Sequence, residues 1–417
     1  MQAARVMTSV SKSAQCPGVL QPPIGGAADV ARPASVAGRR LQGIDALRGF
    51  VMVLMLLDHV RETWFLHVAM PDPVDARTMM PAMYLARLAV SLCAPVFVAL
   101  TGLAAYLFHT THSRAETTAF LLKRGLVLMA IDVLYLSPIY WGIAAPTLWL
   151  QVIWCIGLCM IMLAALIRLP RAVLVGLGVA IVCGHNLLDG VRVEPGHPLF
   201  VIWSQLHQRE SILLPFDLVA KIRYPVLPWI GVIALGYGIG PWFLPAVGAP
   251  MRRRRLLMLG SGMIAAFLIL RGLNVYGDAP WYVVDGDAMR TAMSVFALTK
   301  YPPSLLFLLL TLGVGALLLA WFETGPDTRP PSRLSSTLAV FGGAPMFFYV
   351  FHLGLLRLLY HAALAIWGPN QGPYFALDHF GWVLVWYVAL IVPVYWPTVW
   401  FAQLKAGRRD IAWLRYF

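Results

Sequence analysis

The chain has 417 residues, of which 59% are hydrophobic and 12% are charged, and its mean hydropathy is +0.73. The charged share is about half that of an ordinary soluble domain, so the composition excludes a soluble protein with a single core and predicts one solvated by lipid. The net charge of +13 does not imply a nucleic-acid partner, because the basic residues gather in alternate segments between apolar stretches, which is a membrane-topology pattern.

Apolar stretches recur along the chain after residue 40. A helix that crosses a bilayer needs roughly 20 mostly apolar residues, and about ten stretches approach that length. We therefore predict an all-α fold, a polytopic transmembrane bundle of about ten helices. The predicted spans are Ala46–Leu66, Ala89–Phe108, Gly125–Trp141, Thr147–Leu166, Val173–Leu187, Pro225–Leu244, Leu256–Leu273, Leu305–Trp321, Leu338–Leu364 and Phe380–Phe401.

The segments outside these spans set the domain limits and the orientation. Residues 1–40 are rich in Ala, Gly, Pro and Val and are expected to form a disordered cytoplasmic tail. One membrane domain follows over residues 41–405, and residues 406–417 form a cytoplasmic C-terminal tail. Most of the 32 Lys and Arg lie in the tails or in alternate loops, including the run Arg252–Arg255. The positive-inside rule then predicts that both termini are cytoplasmic.

Three long segments are consequently expected outside the cytoplasm, at about Val68–Arg87, Leu188–Tyr224 and Asn274–Ser304. Long loops on one face of a membrane protein are where a polar substrate would be handled. Within the bundle, the sequences TGL at Thr101–Leu103 and GYGIG at Gly236–Gly240 are predicted to mark close helix approach.

The five cysteines show neither a zinc-binding spacing nor a disulfide pattern, and they are interpreted as small buried hydrophobic residues. No Walker, HExxH or GxSxG motif is present. We therefore predict no metal cofactor.

The first predicted span carries the most informative polar residues. Asp58 and His59 lie roughly 20 Å from Ala46 at 1.5 Å per residue, in the outer half of the bilayer. A charge at such depth costs about 2.5–3.5 kcal/mol. Asp58 lies one turn from Arg61, so the two side chains share a helix face, and His67 follows just beyond the span.

An imidazole near neutral pH can take a proton from an attacking amine or hydroxyl and return it to a leaving group. We therefore interpret Asp58, His59 and His67 as catalytic candidates, with Arg61 as a substrate contact. The alternative is a helix end that is only anchored by the Asp58–Arg61 pair.

Polar residues on other predicted spans extend this interpretation. Asp132 interrupts the third span, His352 interrupts the ninth, and Arg271 lies at the outer end of the seventh. Each one alone fits a structural role, either an interhelical pair or, for Arg271, an interfacial anchor. Together with the first span they predict a wet interior cavity, and the three residues are candidate substrate contacts.

Two groups of motifs carry a resemblance to a known family. The first group is GIDALRGFVMVLMLLDHVRE (Gly43–Glu62), APVFVALTGLAAYLF (Ala94–Phe108) and FLLKRG (Phe120–Gly125). The second is LQVIW (Leu150–Trp154), GHNLLDG (Gly184–Gly190), YPVLPWIGV (Tyr224–Val232), TKYPPSL (Thr299–Leu305) and FGGAPMFFYVFHL (Phe341–Leu353). The first group resembles the catalytic domain of heparan-alpha-glucosaminide N-acetyltransferase and, more closely, its bacterial relatives, the DUF1624 membrane proteins. The second group fits that bacterial branch. The resemblance covers about residues 40–405.

This resemblance implies an integral membrane acyltransferase that moves an acetyl group from cytosolic acetyl-CoA to an amine or hydroxyl of an extracytoplasmic sugar or glycan. The family histidine lies in an aromatic stretch that ends in His and then Ala, which matches Trp64–Ala69, so its role carries over to His67. The family enzyme has an asparagine at the position of His59. The catalytic imidazole is therefore at His67 or has moved to His59, unless the acceptor differs. Arg48, the arginine of the opening motif, is the expected acetyl-CoA contact.

The expected partners are acetyl-CoA, a sugar or glycan acceptor and membrane lipids, in a protein of the bacterial inner membrane; homo-oligomerisation is left open. The histidine acts either as a general base or as a nucleophile that carries the acetyl group. A different class of function also fits the buried polar residues. A proton-coupled transporter or lipid-linked glycan carrier would use them to move protons or bind headgroups without acyl transfer.

Reporter fusions check the predicted orientation. Because basic segments are retained in the cytoplasm, fusions at Arg254 and at the C-terminus should report a cytoplasmic location, and fusions at Leu188 and Asp285 an extracytoplasmic one. The measurement is a paired phosphatase and fluorescent-protein assay at each position. A cytoplasmic signal from the Leu188 fusion overturns the orientation and the mechanism that crosses the membrane.

Overall fold

The computed structural model describes residues 36–141, 147–323, 332–408, 410–411 and 413–414. Helices predominate in this part of the chain, as predicted, and they form one compact unit from Val36 onward. The predicted N-terminal tail lies outside the described residues as far as residue 35.

The bounds of the helices and strands follow the chain order. The elements are α1 (Val36–Trp64), α2 (Pro81–Val90), α3 (Cys93–His109), α4 (Arg114–Ile131), a π-helical turn (Asp132–Leu136), α5 (Ser137–Trp141), β1 (Thr147–Leu150), α6 (Val152–Leu166), α7 (Arg171–Gly184), a 3₁₀ turn (His185–Leu188), α8 (Phe200–Leu206), β2 (Ser211–Leu213), β3 (Val219–Ile222), α9 (Leu227–Gly238), a 3₁₀ turn (Gly240–Phe243), α10 (Ala249–Leu273), α11 (Ala288–Val295), α12 (Leu305–Phe322), α13 (Arg333–Gly343), α14 (Pro345–Trp367) and α15 (Phe380–Gly407).

Within the described residues, six helices are long and apolar enough to cross a membrane. The predicted number of ten is therefore not confirmed, and the orientation stays a prediction. Helix α1 is not among the six, and it carries charges such as Asp45, Arg48 and Asp58 along its length. The six are Pro81–His109, Arg171–Leu188, Ala249–Leu273, Leu305–Phe322, Pro345–Trp367 and Phe380–Gly407, and two shorter apolar helices are Val152–Leu166 and Leu227–Phe243.

Two predicted spans take a different form. The fourth begins as strand β1, which pairs in parallel with β3, while β2 pairs with β3 in the antiparallel sense. Sequence reasoning did not predict this small sheet. The ninth is broken at Ala344, whose φ of −132° and ψ of 56° are not helical. Pro345 follows it, and a proline can begin a helix but cannot donate the backbone hydrogen bond that would continue one.

Glycines let several helices approach until their backbones touch. A Cβ atom on Gly49 of α1 would overlap the carbonyl oxygen of Leu338 in α13, and one on Gly342 of α13 would overlap that of Asp45 in α1. A Cβ atom on Gly102 of α3 would likewise overlap a backbone oxygen of α9. The predicted close approach at the TGL sequence is thus confirmed, and α1 is fixed against the end of α13.

The run Arg252–Arg255 is divided by the fold. Arg252 is 2% exposed, and its Nε atom donates to Oε2 of Glu323 at the end of α12, 2.6 Å away. Arg253 and Arg254 are exposed. Only the later arginines of the run therefore remain as a signal for topology, because Arg252 neutralises a buried carboxylate.

Replacing Gly49 or Gly342 by alanine should destabilise the protein by about 1–3 kcal/mol, the usual effect of overpacking a tight contact. The measurement is thermal unfolding of the purified protein in detergent. Gly262→Ala in α10 is the matched control, since a Cβ there meets no atom within 4 Å, and it should leave stability unchanged or slightly raised. Wild-type stability in both test variants would contradict the close packing of α1 on α13.

Candidate active site

A cavity of about 360 Å³ lies among α1, α3, α4, α6 and α14. Its wall is mostly apolar, but charged and polar side chains line it at two levels. Arg48 and His59 both line it from α1, and 11 residues of helix separate them by roughly 16 Å. The cavity is therefore elongated along α1, with a cationic end near Arg48 and an imidazole end near His59.

Three cations line the cationic end, namely Arg48, Arg124 and Lys405. Arg48 Nη1 donates to Asp45 Oδ1 at 2.7 Å and to the carbonyl oxygen of Gly342 at 3.0 Å. Lys405 Nζ donates to the carbonyl oxygen of Gly343 at 3.3 Å. These carbonyls belong to the last turn of α13, where the helix leaves its C=O groups without intrahelical donors and cations are favoured. The helix break at Ala344 thus positions two of the three cations.

At the other end of the cavity, His59 meets a second buried imidazole, that of His352, which does not itself line the cavity. His59 Nδ1 lies 2.7 Å from His352 Nε2, and His352 Nδ1 lies 2.6 Å from the carbonyl oxygen of Phe348. A carbonyl only accepts hydrogen bonds, so His352 Nδ1 carries a proton. His352 is fully buried, where a single charge is unfavourable, so its Nε2 accepts from the Nδ1–H of His59. In this arrangement Nε2 is the unprotonated nitrogen of His59.

Asp58 lines the cavity beside His59. Arg61 Nη2 lies 3.3 Å from Asp58 Oδ1 and 3.1 Å from Glu62 Oε1. The predicted pairing of Asp58 with Arg61 is confirmed, and Glu62 shares the same guanidinium. The Asp58 carboxylate is therefore placed to favour a positive charge on the neighbouring imidazole.

Sequence reasoning missed Lys300 and Tyr224, which line the same cavity. Lys300 is 4% exposed, and the backbone N–H of its neighbour Tyr301 donates to Asp72 Oδ2 at 2.9 Å. The hydroxyl oxygens of Tyr224 and Tyr301 lie 3.1 Å apart. Burial and the neighbouring Tyr301 raise the pKa of Tyr224 well above its usual 10.0, so this hydroxyl stays protonated. The YPVLPWIGV and TKYPPSL motifs contain these residues, and membership of a motif was the one available signal.

Other candidates from the sequence do not line this cavity. Arg271 is 2% exposed and donates to the carbonyl oxygens of Val295, Ala279 and Ser294, at 2.7, 2.7 and 2.9 Å. It therefore fastens the segment after α10 to the end of α11. A structural anchor accounts for all of these contacts.

Asp132 and His67 also lie away from the cavity lining. The Asp132 carboxylate is 1% exposed and accepts the backbone N–H of Gln151 at 3.0 Å, at the junction of β1 and α6. The ring of His67 lies edge-on to Phe65, with centroids 4.6 Å apart, and its Nδ1 has no hydrogen-bond partner among the described residues. The structure thus brings His59, Asp58 and His352 together and leaves His67 just after α1.

Long apolar helices around a cavity with cationic and imidazole ends define an integral membrane protein with an interior site. The chain belongs to the heparan-alpha-glucosaminide N-acetyltransferase catalytic family, whose sequence model matches residues 40–276. This finding confirms the family expected from the motifs and indicates membrane acetyltransferase activity. The matched region contains Arg48, Asp58 and His59, whereas His352 and Lys405 follow it. No curated protein matches the chain significantly.

Proposed function

We propose that the protein transfers an acetyl group from cytosolic acetyl-CoA to an amine or hydroxyl of an extracytoplasmic sugar or glycan, in the inner membrane of a bacterium. The observation that carries the proposal is the single elongated cavity, because it connects a cluster of cations with a buried imidazole pair. An acetyl donor that is anionic at one end and reactive at the other matches that polarity. The family membership supports the same chemistry.

The cationic end is proposed to bind the phosphates of CoA. Arg48, Arg124 and Lys405 offer N–H donors, and charge-assisted hydrogen bonds to phosphate are the strong ones. With both termini in the cytoplasm, this end faces the cytosolic donor. The CoA moiety then stays on its own side of the bilayer, and only the thioester needs to reach His59.

His59 is proposed to act at the thioester. As the acceptor nitrogen or oxygen attacks the acetyl carbon, its proton moves to the lone pair on His59 Nε2, and the C–S bond breaks. The thiolate of CoA then takes this proton from His59 Nε2 as it leaves, which restores the neutral imidazole. His352 is a positioning residue, since its hydrogen bond holds the proton of His59 on Nδ1. Asp58 favours the imidazolium, and the hydroxyl of Tyr224 is a candidate donor to the acetyl oxygen.

A second route uses the same lone pair as a nucleophile. His59 Nε2 would attack the thioester, form an acetyl-imidazole as the thiolate leaves, and pass the acetyl group to the acceptor. Single-turnover labelling with radiolabelled acetyl-CoA and no acceptor separates the two routes, because only the nucleophilic route leaves acetyl on the protein.

Purified protein should bind acetyl-CoA saturably, and Arg124→Gln and Lys405→Gln should each weaken binding about tenfold or more. The reason is the loss of a charge-assisted hydrogen bond, worth roughly 1.5–3 kcal/mol. Isothermal calorimetry in detergent is the measurement. Arg168→Gln is the matched control, because Arg168 is exposed and does not line the cavity. A wild-type protein that does not bind acetyl-CoA favours the proton-coupled carrier instead.

His59→Ala should lower acetyl transfer by about 10²–10⁴-fold, the usual contribution of a general base, without loss of acetyl-CoA binding. His352→Gln should lower the turnover rate less and shift its pH profile, because the imidazole of His59 loses its fixed tautomer. His361→Gln is the control on α14, since His361 is exposed. Turnover is measured as acetylation of the glycan acceptor. Loss of turnover in His67→Ala, with full activity in His59→Ala, would give the role to His67.

A further inference from the structure

Three side chains that can bind a metal cation meet outside the acetyl-CoA cavity. His185 begins the 3₁₀ turn after α7, Asp189 follows that turn, and His207 directly follows α8. One ligand atom of each residue lies within 4.8 Å of the others. His207 Nε2 lies 3.0 Å from Asp189 Oδ1. The turn after α7 and the end of α8, about 20 residues apart in the sequence, thus bring two imidazoles and a carboxylate to one point.

His185 is the member of this cluster that protein contacts do not explain. Its side chain is 2% exposed, yet neither ring nitrogen has a hydrogen-bond partner within the part of the chain that the structure describes. Its ring lies edge-on to that of His207, with centroids 5.8 Å apart. A buried polar atom without a partner costs roughly 1–3 kcal/mol. Such a cost is removed if a nitrogen of His185 binds a cation.

We propose that His185, Asp189 and His207 form a binding site for a divalent metal of the zinc class. Imidazole nitrogens and a carboxylate oxygen are ligands that zinc accepts, and three protein ligands with a fourth position left open are characteristic of reactive rather than structural zinc sites. This site was not predicted from the sequence, because His185 and His207 follow no known metal-binding spacing.

A hydrogen bond from Asn186 orients the Asp189 carboxylate for metal binding. Asn186 Nδ2 donates to Asp189 Oδ2 at 2.9 Å, which leaves Oδ1 directed at His207, as expected of a neighbour that orients a metal ligand. Metal–ligand distances of about 2.0–2.2 Å place tetrahedral ligands roughly 3.3–3.6 Å apart. Closure of the site therefore requires His185 to move by about 1 Å.

The proposed metal site borders a second cavity, which the open coordination position can face. Asp189 and His207 both line a second cavity, of about 420 Å³, together with Tyr301. The hydroxyl of Tyr301 contacts that of Tyr224, and Tyr224 lines the acetyl-CoA cavity. The metal site therefore lies in the wall of a cavity that one tyrosine pair separates from the proposed acetyl-transfer site. Water or an oxygen-bearing molecule in this second cavity can supply the fourth ligand.

The test measures metal binding without acetyl-CoA, so its result does not depend on the proposed acetyl transfer. Full-length protein is purified in detergent with a histidine-free tag, stripped with a chelator and dialysed against Zn²⁺ alone. We expect one bound Zn²⁺ per chain by mass spectrometry of the metal, and the visible absorption of tetrahedral Co²⁺ when Co²⁺ is used instead. His185→Gln and His207→Gln should weaken Zn²⁺ binding by more than about tenfold.

Two further variants keep the test decisive. His197→Gln is the control, because His197 is exposed in the same segment and is not one of the three ligands; it should retain full binding. Asp189→Asn changes a side chain that is 51% exposed, so it should fold even where a histidine variant does not, and it should lose Zn²⁺. Wild-type protein without stoichiometric Zn²⁺, or Asp189→Asn with unchanged affinity, overturns the proposal and leaves His207 and Asp189 as a structural pair.

Discussion

Helix α1 is held against α13 through two glycines, Gly49 and Gly342, each of which leaves no room for a side chain. This contact fixes where the last carbonyls of α13 lie. Those carbonyls hold Arg48 and Lys405, and the break at Ala344 lets α14 begin in a new direction. Because α14 begins there, His352 lies against α1 and meets His59. The cationic end and the imidazole end of the cavity therefore depend on the same packing of α1.

Inside a lipid-solvated protein, water is scarce and polar groups satisfy one another. Asp58 and Glu62 share the guanidinium of Arg61, and Arg252 pairs with Glu323. The imidazole pair follows the same rule, but with a chemical consequence, since a backbone carbonyl sets the tautomer of both rings. The hydrogen bonds from His59 to His352 and from His352 to the carbonyl of Phe348 thus decide that Nε2 is the unprotonated nitrogen of His59. Neither ring nitrogen of His185 has a hydrogen-bond partner among the described residues, and this departure from the rule is the basis of the proposed metal site.

The sequence predicted the helical class and the family, and three of its candidate residues, Arg48, Asp58 and His59, line the cavity. Asp58 and His59 were identified because charges within an apolar stretch are unfavourable, and Arg48 because it belongs to a recognisable motif. The same reasoning placed His67, Asp132 and Arg271 beside them, and the structure places these three elsewhere. The reason is that periodicity shows which face of its own helix a residue occupies, but not which other helix that face meets.

Hydropathy and local residue spacing therefore determined, from the sequence alone, that this chain is a helical membrane protein with ionisable residues in its first helix. Only the tertiary structure decided that His59 contacts His352, that Lys405 lies near Arg48, and that His185 lies near His207. His59 and His352 are 293 positions apart, Arg48 and Lys405 are 357 apart, and His185 and His207 are 22 apart. No element contains both members of a pair, so each contact depends on how separate elements pack. Such contacts follow from the close fit of many side chains at once, and no single segment of sequence encodes them.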